Sequence, residues 1–350
     1  MKEQQVLKES ERVLDDLLGG IPFLNSRKRI YESPTARFVP DLVYEVRVGS
    51  SRQRIIVEVK SLGEPRQVRY AIQQLREYLA LDGDAYAVVA APYISNDTAL
   101  LCKENGVGYI DLAGNCFLNF DKVYIERRNY PNPNVEKREL RSLFSPKASR
   151  IVRVLLTNPK RSWQLQELAR EASVSLGMTF KIKQRLLDLE YVREERKNIV
   201  LNRPEEFLAK WAESYSFRRN NMYDYFGFGA PRETERKLSE YCKDKNIRYA
   251  LTLFSGAALV APFARYTRGF AYVSEGIQEL ATSLELKEVT TGPNFSILEP
   301  YDDGVFYGSR TIKGIRVVSD VQLYVDLVNY KGRGEESAKF LLEQRLKTQW

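Results

Sequence analysis

The chain has 350 residues, with 54 Lys and Arg against 46 Asp and Glu, a formal charge of +8, and no histidine. The missing histidine excludes Ser-His-Asp and Cys-His catalysis, His-ligated zinc and a His general base, so any catalysis falls to carboxylates, lysine and a hard metal ion. Cys102, Cys116 and Cys242 are odd in number and lack CxxC spacing, which argues against a disulfide framework or a zinc site and fits a reducing cytosol.

The charged start carries no signal-peptide pattern, and no apolar run approaches the ~18 residues of a spanning helix. A cytoplasmic protein without a membrane role is expected. The apolar content is that of a globular chain, and the length accommodates two or three domains.

In chain order, residues 1–18 read as a helix stopped by Gly19-Gly20. Strands are expected at Leu42–Val48 and Arg54–Lys60, then a helix over Arg66–Leu81. Ala85–Ala91 is short and unbroken in its apolar character, as a buried strand should be. A helix near Asn96–Asn105 and strands at Gly108–Leu112, Cys116–Phe120 and Val123–Glu126 complete an α/β module over residues 1–130. Tyr130-Pro131-Asn132-Pro133-Asn134 and a charged connector to Phe144 mark a domain boundary. A second module is expected over 145–202, and a third, mixing helices and strands in α+β fashion, over 203–350.

The second module reads as a winged helix-turn-helix. Ser145-Pro146 starts a helix carrying Ile151, Val152, Leu155 and Leu156, and Asn158-Pro159 ends it. A second helix turns Leu165, Leu168 and Ala169 inward; Ala172 and Val174 bracket a tight turn, and Ser175 can cap the third helix. There Met178, Ile182, Leu186 and Leu189 form one apolar stripe, while Lys181, Lys183, Gln184 and Arg185 lie on the other faces. Gln reads adenine in the major groove, and Lys and Arg reach guanine edges or phosphates. Tyr191-Val192, the turn Glu194–Asn198 and Ile199–Leu201 make the wing. From Ser145 to Asn202 there are 12 Lys and Arg against 6 Asp and Glu, so most of the chain's excess charge sits here.

Downstream lie Leu253-Phe254-Ser255-Gly256-Ala257-Ala258, then Ile315-Arg316-Val317-Val318-Ser319-Asp320-Val321-Gln322-Leu323-Tyr324-Val325-Asp326-Leu327, then Gly332-Arg333-Gly334-Glu335-Glu336-Ser337-Ala338. They read as a strand into a capped helix, then a strand, a helix, a glycine turn and a final helix. With the winged helix in front, residues 145–350 resemble the AbiEi-type antitoxin regulators of type IV toxin–antitoxin systems. The resemblance implies a repressor that binds operator repeats in duplex DNA upstream of its own operon. It also implies a nucleotidyltransferase-like toxin partner, and the last module would meet that toxin or a second copy of the chain. The roughly 140 residues in front are a departure from simpler members.

That front module resembles PD-(D/E)xK restriction-endonuclease-like folds. Pro40-Asp41 is followed seventeen residues later by Glu58-Val59-Lys60, and then by Gln74 and Tyr78 in QxxxY spacing. Asp41 and Glu58 are the metal ligands such a site needs, since Mg²⁺ prefers oxygen donors, and Lys60 assists the attacking water. Strand periodicity puts Glu58 and Lys60 on one face, and helical spacing does the same for Gln74 and Tyr78. An acid of the first helix, such as Glu9, would complete the set. DNA binding by the winged helix needs no cofactor; Mg²⁺ is required if the front site is active.

Other segments carry less. Asp111-Leu112-Ala113-Gly114-Asn115 reads first as a β-turn using its Asx side chains locally, with substrate contact by Asn115 the alternative. Ser255-Gly256 lacks the paired acids of a nucleotidyltransferase, and Gly269–Ser274 supplies none. Phe226–Pro231 lacks a Walker lysine, and Lys331-Gly332-Arg333-Gly334 is a helix-connecting turn. The aromatics between Tyr215 and Phe228 either pack a domain interface or stack on bases.

Overall fold

The computed structural model describes residues 3–29, 39–81, 84–132 and 143–350. Residues 1–2 of the expected first helix and 133–142 of the expected connector lie outside the described residues. Contacts divide the chain into two compact units, residues 1–137 with 188–190, and residues 138–187 with 191–350. Among the described residues no helix is long and apolar enough to cross a membrane.

The first unit is a mixed seven-stranded sheet with helices on both faces. In chain order it contains α1 (Glu3–Gly19), β1 (Leu24–Arg29), β2 (Leu42–Val48), β3 (Ser51–Val59), α2 (Pro65–Leu81), β4 (Ala85–Ala91), α3 (Asn96–Glu104), β5 (Gly108–Asp111), β6 (Cys116–Phe120) and β7 (Val123–Arg127). Spatial order follows chain order. β3, β4 and β5 are parallel, joined by the crossover helices α2 and α3; the other neighbours are antiparallel.

Alternation along β3 sorts its side chains between two cores. Ile55, Val57 and Val59 pack with Val6, Leu14 and Leu18 of α1. Ile56 packs with Val68, Ile72, Leu75 and Tyr78 of α2. Glu58 shares this second face, at the end of the strand, so burial of its neighbours brings a carboxylate against α2. Burying each such Leu, Ile or Val contributes roughly 1.5–3 kcal/mol, which holds the strand in this register.

The second unit begins with three helices, α4 (Pro146–Thr157), α5 (Leu165–Glu171) and α6 (Leu176–Asp188), and a hairpin of β8 (Val192–Glu195) and β9 (Asn198–Leu201). α4 buries Ile151, Val152, Leu155 and Leu156, and α6 buries Thr179, Ile182, Leu186 and Leu187. Trp163 exchanges two backbone hydrogen bonds with Ile199, adding an edge contact to the hairpin.

The chain continues through α7 (Pro204–Ser214) into β10 (Asn221–Phe226), α8 (Pro231–Asp244), β11 (Tyr249–Leu251), α9 (Leu253–Val260), β12 (Gly269–Val273), α10 (Ile277–Ser283), β13 (Lys287–Glu288), β14 (Phe295–Glu299), β15 (Arg310–Ile312), β16 (Ile315–Val317), α11 (Asp320–Val328) and α12 (Gly334–Leu341). Its sheet runs β13-β10-β14-β12-β11-β16-β15, with β12/β14 and β11/β16 parallel. Ser319 caps α11 by accepting from the Gln322 N–H, as the Ser319-Asp320 sequence leads one to expect.

α4 is fastened to this second sheet unit by polar groups. Arg153 is fully buried; its Nε donates to Gln322 Oε1 at 2.8 Å and its Nη1 to Ser149 Oγ at 2.8 Å. Gln322 Nε2 donates onward to Asp326 Oδ1 at 3.0 Å and to the Tyr215 hydroxyl at 2.8 Å. Asp326 also accepts from Tyr215, Tyr272 and Thr252. Burial pushes its carboxyl up to about 6, against the pull of those hydrogen bonds.

Candidate functional site

Two places bring together residues singled out by their chemistry, one in each unit.

In the first unit Lys60 follows directly on β3, and its Nζ donates to Glu58 Oε1 at 2.6 Å and to Gln74 Oε1 at 2.8 Å. The same ammonium lies 5.5 Å from the Tyr70 ring centroid. Asp41, just before β2, accepts the Val59 N–H at 2.7 Å, which ties it to the strand carrying Glu58. The Glu58 and Lys60 side chains are each 11% exposed, so the pair is shielded without being sealed.

Burial raises the carboxyls of both Asp41 and Glu58; the Val59 N–H opposes this at Asp41, and the Lys60 hydrogen bond opposes it at Glu58. The charge of Glu3 raises both further. Glu3, in the first turn of α1, is thus a helix-1 acid whose charge bears on both carboxyls; the sequence left the choice of that acid open, with Glu9 one example.

Tyr78 is four residues beyond Gln74 and packs in the core between α2 and the sheet. The structure thus gathers Asp41, Glu58, Lys60 and Gln74, and leaves Tyr78 supporting the helix that carries Gln74.

Among the described residues no group of three or more Asp, Glu, Cys or His is gathered as a metal cage. Two carboxylates, each with one oxygen engaged within the protein, remain. That donor set fits Mg²⁺, which keeps several waters and takes one or two carboxylates from a protein.

The Asp111–Asn115 turn, at the end of β5, is closed on itself. Asp111 accepts from the Ile94, Ala113 and Asn115 backbone N–H groups and from Asn115 Nδ2. Asn115 also exchanges hydrogen bonds with the Tyr130 backbone in both directions. Gly114 has φ +107°, and a Cβ there would lie 3.4 Å from the Tyr130 ring, so this position needs a glycine. The arrangement matches the local-turn reading of the segment.

In the second unit the site residues ride on α6. Ser175 caps it, accepting the Met178 N–H at 3.4 Å. The preceding turn is tight enough to put Ser173 at φ +52°. Leu176 and Phe180 are 47% and 48% exposed on the outer face, with Lys181 beside them and Gln184 one turn further on. A side chain at Gly177 would meet nothing within 4 Å, so the backbone there is open to a partner. Lys183 is drawn to Glu194 of the hairpin at 2.9 Å, and Arg185 is half-buried.

Arg196 and Lys197 form the two-residue hairpin tip, at φ +49° and +70°, where Asn-Gly is the unstrained choice. Both side chains are exposed. Their left-handed backbone was not foreseeable, although an Arg-Lys pair between two alternating strands is itself a signal.

No curated protein and no solved structure matches the chain. Residues 200–347 match the family model described as "Transcriptional regulator, AbiEi antitoxin, Type IV TA system", and it is to these regulators that the carboxy-terminal part of the chain is similar.

Proposed function

We propose that the chain is a DNA-binding transcriptional regulator of the AbiEi-antitoxin kind, holding duplex DNA through a winged helix-turn-helix at residues 145–202. The observation that carries this reading is the outer face of α6, where Phe180 and Lys181 stand clear of the core beside an open Gly177, with half-buried Gln184 one turn further on. Three helices, a tight turn before the third and a hairpin after it are the parts needed to lay that third helix in the major groove. There Gln184 pairs with an adenine edge, Lys181 reaches guanine or phosphate, and Phe180 meets a thymine methyl. Ser175 holds the helix start, and Arg185 supports the helix from its flank. Lys183 reaches phosphate by exchanging Glu194 for it. Arg196 and Lys197 at the hairpin tip add phosphate contacts, whose strength falls with salt.

The family match next to this segment supports a regulator with a toxin partner, which the carboxy-terminal part would meet. The test is a gel shift with the DNA upstream of the gene and a random duplex, each with and without Mg²⁺. An intact shifted band on the upstream fragment supports the regulator. Equal shifts on both duplexes would remove the operator-reading role.

A second reading, a Mg²⁺-dependent nuclease of the PD-(D/E)xK type on a restriction-endonuclease-like fold, is favoured by the contacts of Lys60 with Glu58 and Gln74. Asp41 and Glu58 would hold the ion, which when bound would offset negative charge on a scissile phosphate. Lys60 stands where it can orient a water, and Gln74 fixes the ammonium. Shorter DNA products that need Mg²⁺ and vanish in Lys60→Ala would put this reading first; intact DNA at all Mg²⁺ concentrations would discard it.

A further inference from the structure

The second unit contains a cavity of about 430 Å³ that the DNA-binding reading does not use. This lies within the range of roughly 300–1,000 Å³ that small-ligand pockets occupy. Its wall is aromatic: half-buried Tyr330 faces the cavity, backed by buried Phe217, nearly parallel with centroids 5.8 Å apart, and by buried Phe270, which meets Tyr330 edge-on at 5.5 Å. Its rim is cationic, with Arg218 and Lys331 both exposed, and no carboxylate is among its lining residues.

A third cation is built into the wall. Arg268 lies over the Phe270 ring at 5.1 Å, its Nε donating to Ser296 Oγ at 2.7 Å and its Nη2 to Asp224. Asp224 balances Arg268, which leaves the two rim cations to attract an anion. Aromatic walls accept a planar ring on their faces, and clustered cations accept phosphate oxygens.

We propose that this cavity is a binding site for a nucleoside phosphate, its base against Tyr330, which Phe217 and Phe270 hold in place, and its phosphate toward Arg218 and Lys331. Asn220, in the wall, is occupied within the protein: Nδ2 donates to the Phe217 carbonyl and Oδ1 accepts the Tyr301 N–H. Stacking, which every base offers, then carries the base contact, and purine and pyrimidine nucleotides bind alike.

The test is calorimetric titration of the full chain with adenosine and uridine 5′-monophosphates, with the two nucleosides, and with inorganic phosphate. Both nucleotides bind saturably below about 1 mM, and each parent nucleoside, lacking the phosphate, binds about tenfold more weakly. The exposed double variant Arg218→Glu, Lys331→Glu loses about tenfold in nucleotide affinity at unchanged melting temperature. Absence of saturable binding by either nucleotide overturns the proposal. So does binding that the double variant leaves untouched, because the nucleotide would then sit elsewhere on a basic surface. Inorganic phosphate binding as tightly as the nucleotides would equally overturn it, since the aromatic wall would contribute nothing.

Discussion

Each unit sets an acid and a base into its interior, in different surroundings. In the first unit Glu58 and Lys60 face each other directly at 2.6 Å, at the end of a strand where water still reaches them. In the second unit Asp326 and Arg153 are fully buried and joined through Gln322, with Tyr215, Tyr272 and Thr252 spending their hydroxyls on the carboxylate. The first cluster leaves oxygens of Asp41 and Glu58 for a ligand; the second spends its hydroxyls and the Gln322 amide on Asp326 and ties α4 to α11 through Arg153 Nε, with only Arg153 Nη2 in that network left without a partner among the described residues. A buried charge that remains reachable is a place for chemistry, while one whose partners enclose it is a fastening.

The sharpest way to break this comparison is to truncate the fastening. Asp326→Ala strips an acceptor from four buried donors, and the second unit should lose about 3–5 kcal/mol in denaturant unfolding. A loss below about 1 kcal/mol would mean that the network merely fills space.

The pH dependence follows from the same carboxyl. Its folded value is raised to about 6, above an unfolded value of about 3.9, so between these the folded state binds more protons than the unfolded. Stability therefore falls as pH rises from about 4 to about 6, by roughly 2–3 kcal/mol, and the loss is complete above that window. Asp326→Asn keeps the shape, lets the Thr252 hydroxyl turn to accept, and should flatten that fall. A variant retaining the full pH slope would assign it to another group.

Neutralising the front carboxyl should raise stability where truncating Asp326 lowers it. Burial raises the Glu58 carboxyl, so its charged form is disfavoured there, and Glu58→Gln should stabilise the first unit by about 0.5–1 kcal/mol at neutral pH. A clear destabilisation in thermal unfolding would make this pair a fastening too.

The hairpin tip offers an equally small effect on stability. Arg196→Asn with Lys197→Gly relieves two left-handed residues and should stabilise by about 0.5–1 kcal/mol. DNA affinity should drop several-fold as two phosphate contacts go. Unchanged affinity would remove the tip from the interface.

Much of the first unit was legible because its apolar runs are short and regular. β2, β4 and β6 fall at the expected residues, and α2 begins one residue earlier than expected. β1 was missed because Leu24–Arg29 is almost wholly polar; an edge strand exists through its backbone pairing with β2. Glu58, Lys60 and Gln74 could be grouped from strand and helix periodicity, whereas Glu3 required knowing where α1 lies.

In the second unit the helix order and the hairpin could be read, because capping and turn residues mark them. On α6 and just beyond it the burial differs slightly from the expected stripe: Thr179 and Leu187 are buried, while Met178, and Leu189 past the helix end, are only half-buried. The seven-strand order of the second sheet and the Arg153–Gln322–Asp326 chain could not be read. They depend on residues up to 173 positions apart, whose meeting is decided by tertiary packing rather than by local pattern.

The central claim, that the outer face of α6 reads DNA, is tested most directly by fluorescence anisotropy on the upstream duplex. The measurement is run across a salt series for the unaltered chain and for Lys181→Ala, Gln184→Ala. Binding to the upstream duplex should be salt-sensitive and exceed binding to a scrambled one. The double variant should lose about 1–3 kcal/mol for its base contact, and its salt slope should shrink by about one ion. Equal affinity for both duplexes, or a variant indistinguishable from the unaltered chain, would contradict it.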